Sequence, residues 1–338
     1  MTPPQNEAVA PTSSRSSDRR RALVEGVTAA LIVYVIAGGS EEALIRILRP
    51  TEGELTWISD VVTAAAFGVA VYLWRHLRAT RLELSERERD ELVLQTQLTL
   101  AASMQRRLLP AAPPPDHGFE WAAVQIPAGR IGGDFYDFVE QSPGVWMVLT
   151  ADVSGKGVPA AMALGLLRSI FRTLAREIVS PGLLVGRLSS ALFEEWSGDP
   201  YLTCIVARVD THERKLTSTN AGHPPGIVLR ESTCKLLQAG GPPAGLMPGA
   251  VYGEDVVELR TGDRCVFVTD GVTEALDTGG EPSISIVAST ASGPFPSPRA
   301  MGDAIMNRSM LGGGPSGIEA WSDDRTVVAI SVGARGDS

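Results

Sequence analysis

What most limits the fold of this chain is the order of its apolar runs. Residues 119–126, 145–150, 202–209, 215–219, 226–229, 264–269 and 326–332 are short, rich in β-branched residues and bounded by turn signals, which predicts strands. Helical periodicity marks 158–176, where Met162, Leu166, Leu167, Ile170 and Leu174 share a face, and 182–196. Strands outnumber helices and do not alternate with them, which argues against a doubly wound parallel sheet. Two packed antiparallel sheets flanked by helices, an α+β architecture, fit the pattern. Residues 277–320 are loose in composition, rich in Gly, Ser and Pro, with a weak helix over 299–310. They predict a mobile or poorly formed segment, not a second domain.

At 338 residues the chain exceeds one ordinary domain. The excess lies at the front. Residues 1–20 are rich in Pro, Ser, Thr and charge and predict a disordered start. Two apolar runs follow, 22–37 and 55–74, separated by a net acidic loop over 40–54. Arg15, Arg19, Arg20 and Arg21 precede the first run, and Arg75, His76, Arg78 and Arg81 follow the second. By the positive-inside rule, residues 21–75 form a two-helix transmembrane hairpin with both ends in the cytoplasm. That predicts a multi-pass protein of the inner cell membrane with its C-terminal domain, 111–338, in the cytoplasm. Each run also reads as a buried helix of a soluble sensor domain, because Glu25 and Asp60 interrupt them. Residues 76–110 contain no Gly, and no Pro before Pro110. Leu77, Leu84 and Leu98 occupy one heptad position and Leu94, Ala101 and Leu108 another, while Glu91 breaks the first row. This linker helix either pairs two copies as a coiled coil, making a homodimer, or packs singly on the domain that follows.

The formal charge of −9 and the lack of a basic stripe argue against nucleic acid as a partner. Cys204, Cys234 and Cys265 are too dispersed for a disulfide framework or a zinc knuckle, which fits a reducing compartment. The chemistry lies in aspartates. The run over 145–150 delivers Asp152 to a Ser154-Gly155-Lys156-Gly157 turn, and a helix with Pro159 in its first turn follows. The run over 264–269 delivers Asp270 beside Gly271 in the same way. Asp134 sits in Gly132-Gly133-Asp134-Phe135-Tyr136-Asp137, and Asp323 in Ser322-Asp323-Asp324-Arg325-Thr326. Asp134, Asp152, Asp270 and Asp323 are the candidate ligands, with Asp137 and Asp324 in reserve. Crowded carboxylates repel unless cations neutralise them, and hard oxygen donors select Mg²⁺ or Mn²⁺ over zinc. Two such ions can lower the pKa of a shared water and clamp an in-line displacement, which favours hydrolysis of a phosphate ester. A single Asp-Gly is more often a turn, so the reading rests on the four sites together.

The Ser154–Gly157 turn is not a phosphate-binding loop: that motif needs Ser or Thr directly after the Lys, where this chain has Gly157. His223, in Asn220-Ala221-Gly222-His223-Pro224-Pro225, reads either as a general acid or as a structural residue holding its turn by a backbone hydrogen bond. Gly240 to Leu246 reads as an architectural loop.

Six motifs in order, Met104-Gln105-Arg106-Arg107-Leu108-Leu109-Pro110, Gly132 to Asp137, Ala151 to Met162, Asn220 to Pro225, Thr269-Asp270-Gly271-Val272-Thr273-Glu274-Ala275 and Asp323 to Thr326, resemble the PPM-type (type 2C-like) serine/threonine phosphatases. The branch they resemble most is that of the bacterial sporulation and stress-response phosphatases that act on anti-sigma factor antagonists. The resemblance covers about residues 100 to 335. It implies an αββα sandwich, a centre of two Mn²⁺ or Mg²⁺ ions, and a regulatory protein phosphorylated on Ser or Thr as substrate. It also implies that Asp152 bridges the metals, that the Val153 carbonyl completes their shell, and that Asp270 and Asp323 bind from the other side. Asp134 matches the acid held near the metals, and Asp152 and Asp270 are the residues on which catalysis depends. The chain departs from the family over 277–320, where a helix pair is expected, and a pseudophosphatase that binds its partner without turning it over is the alternative. A different metallohydrolase, such as a nuclease, conflicts with the acidic charge.

Overall fold

The computed structural model describes residues 56–129, 132–155, 158–231, 233–277, 279, 281–311 and 323–334. The expected disordered start and the first apolar run lie outside these residues. The chain divides into two compact units, Met1–Leu94 and Gln95–Ser338.

The described part of the first unit belongs to a 53-residue helix, α1 (Thr56–Leu108). Among the described residues no helix is long and apolar enough to cross a membrane. The reason is local: the uncharged stretch between Asp60 and Arg75 rises about 21 Å as helix, against about 30 Å of hydrocarbon. The second span expected over 55–74 is therefore not found, and the transmembrane hairpin lacks support from the fold. Leu77 and Leu84, from the first heptad row, are exposed, as are Phe67, Leu73 and Trp74.

The second unit is a sandwich. Its elements in order are β1 (Phe119–Ile126), β2 (Asp134–Ser142), β3 (Val145–Val153), α2 (Val158–Glu177), α3 (Pro181–Trp196), β4 (Leu202–Asp210), β5 (Lys215–Ala221), β6 (Gly226–Arg230), β7 (Thr233–Leu237), β8 (Gly240–Gly241), β9 (Asp255–Glu258), β10 (Arg264–Val268), α4 (Asp270–Leu276), α5 (Ser283–Ala291), α6 (Pro298–Leu311) and β11 (Arg325–Val332). One sheet has the order β1-β11-β10-β6-β7. The other runs β2-β3-β4-β5-β8, with β9 also paired to β5. All pairings are antiparallel except that of β5 with β8.

The two-residue period of each strand sorts its side chains into layers. On β3, Met147, Leu149, Ala151 and Val153 pack with Leu164, Leu167 and Phe171 of α2 and Leu184, Leu188 and Leu192 of α3. Val148, on the opposite face, joins Phe138, Ile205, Phe267, Val328 and Ile330 between the sheets. The outer face of the other sheet, through Ile227, Val266, Val268, Val327 and Ala329, packs on Val272, Val287, Met301 and Ile305. The result is the expected αββα layering. Residues 283–311 correct the expectation of a poorly formed segment: α5 and α6 bury Val287, Ala291, Met301, Ile305 and Met306 in this third layer. The weak helix expected over 299–310 is α6, and the small and polar composition of 283–291 masked α5.

Candidate metal centre

Alternation also decides which acids meet. Asp152 lies on the face of β3 that carries Val148, toward the other sheet, while Val153 turns its side chain into the helix-facing core. Asp134 is the direct antiparallel partner of Asp152. Asp137, three residues further along β2, falls on the opposite face. There it is fully buried and held by Arg172 of α2 through bonds of 2.7 and 2.8 Å. The reserve ligand Asp137 thus ties a helix to its sheet and takes no part in the centre.

Asp134 reaches across the sandwich. Its Oδ2 accepts the hydroxyls of Thr269 and Thr326, each at 2.7 Å. Thr269 and Thr326 also join their own strands, the Thr269 N–H donating to the Thr326 carbonyl at 3.1 Å and the Thr326 N–H to the Thr269 hydroxyl at 2.9 Å. Asp270 follows Thr269 directly. The carboxylate oxygens of Asp134, Asp152 and Asp270 accordingly lie within 4.8 Å of one another. Burial holds the Asp134 carboxyl well above the usual carboxylate range, the charges of Asp152 and Asp324 push the same way, and the two threonine bonds oppose them. Three hard oxygen donors crowded against their own repulsion fit a divalent cation, which would lift that penalty.

Asp323 stands outside this group of three. It sits at the bend before β11, and its Oδ1 accepts the N–H of Asp324 at 3.0 Å. Asp324, the other reserve ligand, instead braces the glycine loop: it accepts the N–H of Ala128 at 2.7 Å and of Gly133 at 2.6 Å. Gly133 has to be glycine, because a Cβ there would stand 2.7 Å from Asp152 Oδ1 and 2.8 Å from the Val153 carbonyl. The bare backbone of Gly133 leaves room for both oxygens.

Apart from Asp324, read only as a reserve ligand, the supporting residues escaped the sequence reading. Gln105, near the end of α1, pairs with the backbone of Gly132, its Nε2 donating to the carbonyl at 2.6 Å and its Oε1 accepting the N–H at 3.2 Å. Gln125 donates to the Asp134 carbonyl at 3.0 Å. Thr269, Thr326, Asp324 and Gln105 all lie inside the motifs quoted above, and that position was the one signal available for them. His223 is buried, and burial pushes its pKa down to about 3, which argues against a protonated general acid. Its turn is held by Asn220 and not by the imidazole: the Asn220 Oδ1 accepts the His223 N–H at 2.7 Å, and its Nδ2 donates to the His223 carbonyl at 2.9 Å.

A two-sheet sandwich with this carboxylate cluster at one end is the architecture of a PP2C-type phosphatase domain. Residues 142–333 match the family of stage II sporulation protein E (SpoIIE), and the chain belongs to that family. It is 26% identical over 189 residues to the phosphoserine phosphatase RsbU of Bacillus subtilis, a match covering 55% of this chain and 56% of RsbU. The chain thus spans little more than half the length of that relative. The PP2C phosphatase domain of SpoIIE from Bacillus subtilis, solved with a fragment of its regulatory domain, superposes with a TM-score of 0.58 at 18% identity, over 65% of this chain and 63% of that one. RsbX in complex with magnesium superposes with a TM-score of 0.50 at 16% identity, over 65% of this chain and 98% of RsbX. These two likenesses establish the fold.

Proposed function

We propose that this chain is a metal-dependent protein serine/threonine phosphatase that removes phosphate from a regulatory phosphoprotein of the anti-sigma factor antagonist type. The observation that carries the reading is the mutual approach of Asp134, Asp152 and Asp270 within 4.8 Å. RsbU, the phosphoserine phosphatase it resembles, and RsbX, solved with magnesium, support the same chemistry. Asp152, Asp270 and the Val153 carbonyl would hold two Mn²⁺ or Mg²⁺ ions, with Asp134 alongside and Asp323 closing the outer side. When bound, such ions neutralise the carboxylates and the phosphate and acidify water for in-line attack on the ester. The residues of the chain do the rest. Thr269 and Thr326 orient Asp134, Asp324 and Gln105 set the glycine loop, and the rigid ends of β3 and β10 hold Asp152 and Asp270 in register.

The assay is release of phosphate from a phosphoserine protein by the full chain with and without Mn²⁺. Hydrolysis depends on Mn²⁺ and falls by at least about a thousand-fold in Asp152→Asn and Asp270→Asn. Wild-type rates in both variants would overturn the assignment. Residues 283–311 no longer favour the pseudophosphatase, since the segment that suggested an eroded domain is a packed helix pair. For the N-terminal part we propose membrane association with the phosphatase domain on the cytoplasmic side, and pairing of two copies through α1. Both rest on sequence: basic clusters flanking two apolar runs, and two heptad rows. Fractionation of cells tests the first, and recovery of the full chain in the soluble fraction contradicts it.

A further inference from the structure

The imidazole of His223 has no task in its own turn. Asn220 closes that turn through the His223 N–H and carbonyl and through the Pro224 carbonyl at 3.3 Å, and Gly222 supplies the positive φ of 67° that the reversal needs. The ring is instead directed into the protein, with the residue only 7% exposed. Its Nδ1 lies 2.9 Å from the Thr203 hydroxyl. Thr203 is the direct β4 partner of Asp152 on β3. It shares a strand face with Ile205 and Ala207, which line the space between the sheets, so Thr203 and Asp152 stand side by side on that inner face. The other ring nitrogen, Nε2, is buried without a hydrogen-bond partner in ordinary geometry. The backbone group that acts on the ring is Val268, the last residue of β10. Directly after it come Thr269, which holds Asp134, and Asp270.

One flat side chain therefore lies between the strand beside Asp152 in one sheet and the strand end that delivers Asp270 in the other. We infer that His223, through Thr203, is a positioning residue of the carboxylate centre: it fixes the spacing between the Asp152 strand and the Asp270 strand, and so sets how tightly the centre holds a divalent cation. The ring suits the task because it is rigid, polar at both ends and buried. Partners one shell behind metal ligands alter affinity by about ten- to a hundred-fold when removed. The inference rests on the metal-centre reading above.

The test is titration of the full chain with Mn²⁺ by calorimetry, with manganese spin resonance as a second readout, for the wild type, His223→Ala, Thr203→Val, Thr203→Ser and the His223→Ala/Thr203→Val pair. His223→Ala and Thr203→Val each weaken Mn²⁺ binding about ten-fold. The double variant loses no more than either single one, because both act along one path. Thr203→Ser, which keeps the hydroxyl, binds within about two-fold of wild type. Wild-type Mn²⁺ affinity in His223→Ala and Thr203→Val overturns the positioning role and leaves the metal centre standing. A wild-type chain that binds no Mn²⁺ overturns both. Should His223→Ala fail to fold, Thr203→Val against Thr203→Ser decides, and equal affinities overturn the inference.

Discussion

Asp134 shows how a single residue can carry the tension of an active centre. It is 1% exposed, beside Asp152, and stabilised by two hydroxyls. Its carboxyl is held well above the ordinary range, so in the metal-free protein the folded state keeps its proton where the unfolded chain has released it. Above the unfolded pKa near 4, the folded chain binds more protons than the unfolded one, and stability falls as pH rises through the folded value. The chelator-treated chain should therefore lose thermal stability from about pH 4 toward neutrality. Asp134→Asn, which keeps an oxygen for both threonines, should flatten that slope. Mn²⁺ should restore more stability at pH 7 than at pH 5, since it takes the place of the proton. Thermal unfolding across pH, with and without Mn²⁺, checks all three.

At the scale of elements, the sandwich is stitched by side chains that sequence patterns do not single out. Asp137 and Arg172 join β2 to α2, and the Asp137 carboxylate has no exposure. Arg172→Ala would leave that charge buried and unpaired, a loss of about 3 kcal/mol by urea unfolding. Gln105 joins the end of α1 to the glycine loop through the N–H and carbonyl of Gly132. Gln105→Ala should weaken Mn²⁺ binding about ten-fold by calorimetry with little change in unfolding midpoint, because the lost contacts position the loop and do not form the core. The strands legible in the sequence were those with uninterrupted apolar runs, and β1 was read at its observed bounds. β2 was missed because Asp134 and Asp137 interrupt it, and acids look like loop unless their buried partners, two threonines and an arginine, are known. β7 and β9 were missed because they are short and largely exposed. The weak helix read over 299–310 is α6, with Met301 and Ile305 fully buried, whereas α5 was missed because Ser and Ala dilute its period.

At the scale of the whole molecule, the sequence separated a catalytic sandwich from an N-terminal segment of different composition. Asp152 and Asp270 were found because each stands at the end of an apolar strand beside a glycine turn, Asp134 because it sits in a glycine motif, and Asp323 because it precedes another strand. Which of them converge depended on long-range topology: Asp134 and Asp152 are partners across one hairpin, while Asp270 arrives from the other sheet. Asp323 and Asp324 are adjacent in sequence, yet Asp324 braces the loop and Asp323 turns back on its neighbour's amide, a distinction no spacing rule contains. The proposed function stands on Asp134, Asp152 and Asp270 forming a divalent-metal centre. Crystals of the chain grown in Mn²⁺ and measured at the manganese absorption edge test it most directly. Anomalous density is expected between these three carboxylates and is lost in Asp152→Asn. Anomalous density absent from that position at saturating Mn²⁺ would contradict it.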